Sequence, residues 1–299
     1  MPMRVVIIGK SGQIAQALTA HLLATGHDVS VLARPGIDLA QPETILPAIA
    51  RLQPDMIINP AAYTAVDKAE TEPDHAMRIN RDGAKAVAEA AKAVDAALVH
   101  LSTDYVFDGT KHTPYVETDG VSPLGQYGRS KQAGEMAVMQ ACARSVVLRT
   151  SWVCSPHGHN FVKTMLRLAS ERPELRVVSD QFGAPTFAAD IAAGIADMLP
   201  LLGKNAPPER FGMFHMTNAG RTNWHGFAQA IMQGASQRGG VSVPIKAISA
   251  ADYPTPAKRP ANSCLSNEKL GRIHGISLPD WHVGLEHCLD ALMGPVPIP

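Results

Sequence analysis

The chain has 299 residues in which 27 Lys+Arg are balanced by 27 Asp+Glu, so nothing in its bulk charge recruits a nucleic acid or an anionic membrane surface. Hydrophobic residues make up 45% of it, enough for a substantial core, and the length suits one large domain or two smaller ones. No stretch approaches the ~20 consecutive apolar residues of a membrane-spanning helix, and the opening "MPMRVVIIGKSGQ" is broken by Gly and Lys too soon for a signal-peptide core.

In chain order, short β-rich runs alternate with Ala-rich helical stretches. The strand "RVVIIG" precedes a helix over Gly12 to Thr25; "DVSVL" precedes a helix over Glu43 to Leu52; "DMIIN" precedes a long helix near Glu72 to Val94. The strand "ALVHLS", a helix from about Leu124 to Cys142 and the strand "SVVLRT" follow. Continuous apolar strands separated by helices predict parallel strands covered on both faces, hence a Rossmann-type, doubly wound α/β sheet. After Ser151, Pro and Gly become frequent, and helices in "NFVKTMLRLASE" and "WHGFAQAIMQGAS" predict a smaller, less regular lobe, with "FHMT" returning a strand to the main sheet. The expected division is therefore a dinucleotide-binding domain at 1–151, rejoined by parts of 185–218, and a substrate lobe at 152–184 and 219–299, with "GPVPIP" as a loose tail. Cys142, Cys154, Cys264 and Cys288 form no C-x-x-C or zinc spacing, so reduced thiols in a cytoplasmic protein are expected.

The turn after the first strand reads G-x-x-G-x-x-A at Gly9, Gly12 and Ala15. Small residues there allow a tight turn and bring a helix N-terminus close to a pyrophosphate; the alternative is an ordinary tight βα connection. Gly9, Gly12, Gln13 and Ile14 are the residues this sets against a dinucleotide. "GKS" is not a P-loop, because that motif needs a glycine where Arg4 stands. The second strand ends without the acidic residue of an NAD-selective site; Arg34 either accommodates a 2′-phosphate, favouring NADPH with NADH the alternative, or is a solvated loop charge. Asp38 and Leu39 are set at the adenine, and Ala62, Tyr63 and Thr64, after the third strand, at the nicotinamide ribose unless they are a plain βα loop. The fourth strand ends in "STDYVFDG", bringing Ser102, Thr103 and Asp104 to the same rim. Tyr127 and Lys131 in "QYGRSKQAGE" stand at i and i+4 of the next helix, so their side chains share one face.

Taken together, "GKSGQ", "AAYTAVDKAE", "STDYVFDG", "SPLGQYGRSKQAGE", "RTSWV", "NFVKTMLRLA", "DQFGAPT" and "YPTPAKRPANSCL" occur in family order over nearly the whole chain. In them the chain resembles the extended short-chain dehydrogenase/reductases, and within these the dTDP-4-dehydrorhamnose reductase family. The resemblance implies reduction of a dTDP-linked 4-ketosugar, dTDP-4-dehydro-L-rhamnose, to dTDP-L-rhamnose. Ketone reduction needs a hydride, which a nicotinamide supplies, and a proton, for which Tyr127 is the candidate general acid. A nearby Lys131 ammonium is expected to lower the phenol pKa and to hold the nicotinamide ribose. Thr103 offers a second hydroxyl to the substrate oxygen. The resemblance sets Asp104 and Trp152 at the sugar, the plainer alternatives being a local backbone hydrogen bond and core packing. It likens Asn80 to an asparagine that organises the active-site helix through its backbone, the plainer alternative being an amide that caps a kink. Arg259 is a candidate for the pyrophosphate through its fork of donors, with Asn160 and Gln181 as weaker substrate candidates. His100 and His215, within strands, read as core or surface residues. Magnesium is sometimes associated with the family, but no carboxylate cluster in the sequence supports a site. Two rivals share the fold: an epimerase or 4,6-dehydratase with tightly held NAD, and a non-catalytic regulatory subunit resembling that of methionine adenosyltransferase. Asp104 is followed by Tyr105, so the second carboxylate of a dehydratase is missing, and retention of Thr103, Tyr127 and Lys131 together argues for catalysis. A monomer or homodimer, without nucleic-acid or membrane partner, is expected.

Overall fold

The computed structural model describes residues 2–296, so the last three residues of the expected "GPVPIP" tail lie outside the described residues. The first half alternates as β1 (Arg4–Ile8), α1 (Gln13–Ala24), β2 (Asp28–Leu32), α2 (Ile45–Leu52), β3 (Met56–Asn59), α3 (Val66–Ala69), α4 (Pro73–Met77), α5 (Ala84–Ala93), β4 (Ala97–Thr103), α6 (Gln126–Ala141) and β5 (Ser145–Thr150). With the later strand Gly212–His215 they form a parallel six-stranded sheet in the order Gly212–His215, β5, β4, β3, β1, β2. Every residue of β3, β4 and β5 is buried, which is why those strands read as unbroken apolar runs.

Alternation along β1 sends its residues to two separate cores. Val5 and Ile7 pack with α1 and with helix Ala188–Met198 on one face; Val6 and Ile8 pack with α2 and α5 on the other. Strand order reverses direction between β1 and β3, and in open α/β sheets ligands lie outside the carboxyl ends of the strands at such a switch. The strand expected at "FHMT" does return, pairing parallel with β5 from Gly212 to His215.

One expected helix is divided. Glu72 to Val94 contains α4 and α5 joined by a π-helical turn at Arg78–Gly83, an insertion of the kind that recurs at functional sites. Tight packing accounts for the distortion. A Cβ on Gly134 of α6 would lie 2.0 Å from the Asn80 carbonyl oxygen, and one on Gly83 would lie 2.4 Å from that of Leu39, so backbones meet directly on both sides of the turn.

The second lobe forms around α7 (Phe161–Glu171), helices Trp224–Gln237 and Trp281–Met293, and a parallel pairing of Leu175–Val178 with Ile245–Ile248. Residues 268–278, expected within this lobe, instead carry Leu270, Ile276 and Leu278 into the first core beside Phe214. Among the described residues no helix is long and apolar enough to cross a membrane.

Candidate active site

Gly9 follows β1 with φ +104°, a left-handed conformation natural to glycine, and a Cβ there would stand 3.2 Å from that of Ala61. Gly12 then serves as the N-cap of α1 and gives its first turn no side-chain cap. The N–H groups of that turn therefore remain available to an anion at the positive end of the helix dipole, and this fits a dinucleotide pyrophosphate. Arg34, at the end of the second strand, is exposed and suited to a further phosphate.

Several residues expected at the cofactor have other work. Ile14 packs its side chain against the first core, so only its backbone faces the helix terminus. Leu39 is 8% exposed and belongs to the second core. Asp38 Oδ1 accepts from Ala40 N at 2.9 Å, shaping its own turn. Gln13 ties the glycine turn to the second lobe: Nε2 donates to the Val153 carbonyl at 3.2 Å, while Oε1 accepts from Ser155 Oγ at 3.0 Å and Asn160 Nδ2 at 2.8 Å. Asn160, expected at the substrate, is thereby committed to the scaffold, because its Oδ1 also caps α7 through Lys163 N at 3.1 Å. Ala62 is half-buried and Thr64 exposed on the loop after β3. Between them the Tyr63 phenol donates to Glu72 Oε2 at 2.9 Å and its ring meets His75 edge-on.

Asn80 explains how that loop is held against α6. Its Oδ1 accepts from Tyr63 N at 2.8 Å, and its Nδ2 donates to Tyr63 O at 3.0 Å and to Ser130 Oγ at 2.9 Å. Ser130 in turn donates to the Tyr127 carbonyl at 2.8 Å. The carboxamide thus ties the loop after β3 to α6, and the Asn80 carbonyl packs on Gly134.

Thr103 ends β4, and its hydroxyl donates to Asp104 Oδ1 at 3.0 Å while accepting from Tyr105 N at 3.2 Å. Asp104 is buried, and burial pushes its carboxyl up to about 6 despite hydrogen bonds from Ser263 and Thr103. Tyr127, half-buried near the start of α6, has its phenol pushed up to about 12, chiefly because it is shielded from water; the Thr103 hydroxyl works against this and the Asp104 charge adds to it. Lys131, one turn on, is buried and held down to about 8 by desolvation, opposed by Glu135. Its Nζ donates to the Leu101 carbonyl at 2.6 Å and lies 3.5 Å from His100 Nε2. The expectation that the ammonium lowers the Tyr127 pKa is therefore corrected: the charge is drawn down onto β4, and shielding decides the phenol.

A buried ion pair, unmarked in the sequence reading, anchors α6. Glu135, four residues after Lys131, accepts from Ser102 Oγ at 2.6 Å and from Arg149 Nε and Nη2 at 2.9 and 2.7 Å. The "GE" one turn beyond Lys131 and an arginine inside the apolar strand "SVVLRT" were the available signals. Glu70 Oε1 accepts from Gln126 N at 2.7 Å at the start of the same helix.

A cavity of about 330 Å³ opens in the second lobe, lined by Phe161, Gln181, Trp224, Tyr253, Thr255 and Arg259 among others. Arg259 reaches it already engaged, its Nη2 2.8 Å from Asp67 Oδ2, so a phosphate there would share the guanidinium with a carboxylate. Trp152 lies stacked on Trp224, ring centroids 3.5 Å apart, and holds φ +46°, a strained value of the kind found at ligand sites. Gly183 makes room for it, since a Cβ there would sit 2.5 Å from Trp152 Cε2. Among the described residues no three His, Cys, Asp or Glu side chains gather as a metal site.

The model of the RmlD substrate binding domain family matches residues 3–293. The dTDP-4-dehydrorhamnose reductase of Sinorhizobium fredii is 45% identical, with 97% of this chain and 98% of that protein covered. The crystal structure of the Bacillus anthracis dTDP-4-dehydrorhamnose reductase in complex with NADP superposes with a TM-score of 0.90 at 35% identity, covering 97% of this chain and 99% of that one. A Thermus thermophilus UDP-glucose 4-epimerase in complex with NAD, 21% identical with a TM-score of 0.80 over 98% of this chain and 99% of its own, shares the fold alone.

Proposed function

The chain belongs to the dTDP-4-dehydrorhamnose reductase family, and from that premise we propose that it reduces the 4-keto group of dTDP-4-dehydro-L-rhamnose to give dTDP-L-rhamnose, using NADPH. The observation that carries the reading is that Thr103 ends β4 and Tyr127 stands in the first turn of the following helix α6, on the carboxyl rim of the sheet that also bears the Gly9 turn.

Bound at the open first turn of α1, with Arg34 toward a 2′-phosphate, the cofactor supplies the hydride. The chain's own task is to orient the ketone and deliver a proton. Thr103 Oγ1, its hydrogen turned from Asp104 Oδ1 to the substrate, donates to the carbonyl oxygen and fixes it, and Tyr127 transfers its phenolic proton as charge builds on that oxygen. The phenol is protonated at neutral pH and so holds the proton to be delivered. Lys131 holds the nicotinamide ribose hydroxyls, and solvent restores the proton that Tyr127 gives up. Asp104 approaches the sugar from the same rim. The nucleotide end is read into the second-lobe cavity, where the Trp152–Trp224 stack offers an aromatic wall and Arg259 a cation. The four buried free cysteines accord with a cytoplasmic enzyme, acting as a monomer or homodimer.

The test presents dTDP-4-dehydro-L-rhamnose with NADPH or NADH, follows nicotinamide absorbance and uses a UDP-linked ketosugar as control. Consumption of NADPH with the dTDP sugar is expected. No consumption, or NAD retained tightly through purification, would turn the reading toward an epimerase.

A further inference from the structure

Lys131 presents the structure with a problem in donor counting. An ammonium has three hydrogens and no lone pair, and taken out of water it needs acceptors. The side chain is 2% exposed, and the contacts at its Nζ are the Leu101 carbonyl and the His100 imidazole. The other charged groups around it are already paired or more remote: Glu135 on its own helix is forked by Arg149 of β5, and Asp104 lies beyond the end of β4. How the imidazole is presented therefore decides how well the charge is held.

His100 and Asn59 face each other in register across β4 and β3, both at most 1% exposed, with Asn59 Nδ2 3.1 Å from His100 Nδ1. A carboxamide's nitrogen and oxygen are interchangeable by rotation. If Nδ2 donates to Nδ1, the neutral ring must carry its proton on Nε2 and aim an N–H at an ammonium. With the carboxamide turned over, Oδ1 accepts from Nδ1–H and the Nε2 lone pair faces Lys131. That orientation gives Asn59 Oδ1, otherwise buried without a partner, its donor, and moves Nδ2 to the place the oxygen held. Burial and the Lys131 charge keep the ring well below its ordinary pKa, hence neutral and able to accept.

We propose that Asn59 and His100 are positioning residues for Lys131: a cross-strand pair that fixes the imidazole tautomer so that its Nε2 accepts from the ammonium. The pair thereby sets both where the charge rests and the pH range over which it persists. The inference deepens the reading above and rests on Lys131 serving the reaction.

The experiment compares His100→Leu, His100→Gln and Asn59→Leu with the unaltered enzyme and with Lys131→Met, measuring thermal unfolding, KM for NADPH, kcat and the pH profile of kcat. Losing an acceptor makes the ammonium easier to deprotonate, so in His100→Leu the alkaline limb should move to lower pH by about one unit, a tenfold change in ionisation, with KM for NADPH raised. Glutamine restores an acceptor oxygen and should recover most of the shift; Asn59→Leu, which keeps the ring but frees its tautomer, should fall between. An alkaline limb unmoved in both His100→Gln and Asn59→Leu, alongside one unmoved or unmeasurable in His100→Leu, overturns the proposal, as does equal behaviour of His100→Leu and His100→Gln. Full turnover by Lys131→Met would instead overturn the role read for Lys131 itself.

Discussion

Replacing Glu135 by alanine isolates what the buried ion pair contributes to holding α6. The Glu135 and Arg149 side chains are 2% and 5% exposed, and the carboxylate accepts from Ser102 Oγ as well as from two guanidinium nitrogens. Truncation leaves Arg149, whose Nη1 already lacks a partner, as a buried cation without counter-charge. Breaking one side of such a pair costs about 3–5 kcal/mol, against a total stability of roughly 5–15 kcal/mol for a folded domain. Glu135→Ala should therefore unfold at much lower urea. The pair Glu135→Leu with Arg149→Met removes both charges at similar volume and should recover most of the loss, since the penalty lies in the orphaned cation. Urea unfolding followed by tryptophan fluorescence and by far-ultraviolet circular dichroism reads this directly, and the two probes must coincide for one free energy to describe a chain with several cores. A loss below about 1 kcal/mol in Glu135→Ala, or a double variant no more stable than the single one, would refute the reasoning.

Tyr127→Phe should lower kcat by about 10²–10⁴-fold while leaving NADPH affinity, read by fluorescence titration, nearly unchanged; undiminished turnover would remove the acid assignment. Asp104, pushed up to about 6 from 3.8, favours folding in its protonated form, so its contribution is complete below about pH 4 and is lost as pH rises through 6. Asp104→Asn should accordingly be more stable than the unaltered chain at pH 7.5 by up to about 3 kcal/mol, with the gap closing at pH 4; a gap constant with pH contradicts the burial argument. Asp67→Asn removes the carboxylate from a pair that is 23% exposed at Arg259 and 42% at Asp67, so stability should change by less than about 1 kcal/mol. KM for the dTDP sugar should rise severalfold with kcat little altered, and an unchanged KM would separate Arg259 from substrate binding.

Elements whose pattern is dictated by local surroundings were legible in the sequence. The strands at 56–59, 97–103 and 145–150 are covered on both faces and so announce themselves as apolar runs. Spacing also put Tyr127 and Lys131 on one helical face, but four residues of separation say nothing of where a flexible ammonium comes to rest. The Leu101 carbonyl, thirty residues earlier in the chain, decides that, while burial sets the direction of the Tyr127 shift. The π-helical turn is equally non-local: Gly83 in the sequence marks a weak point, but the contact of Asn80 with Gly134 and its bond to Ser130 lie more than forty residues away. A glycine motif speaks chiefly about backbone, which is why the turn at Gly9 was readable while Ile14, taken from the same motif, and Leu39, taken from its place after the second strand, send their side chains into the cores. Asn160 and Arg259 show the corresponding limit for polar residues: a side chain able to grip a ligand is equally able to grip Gln13 or Asp67, and only the packing of the two lobes chooses between these partners.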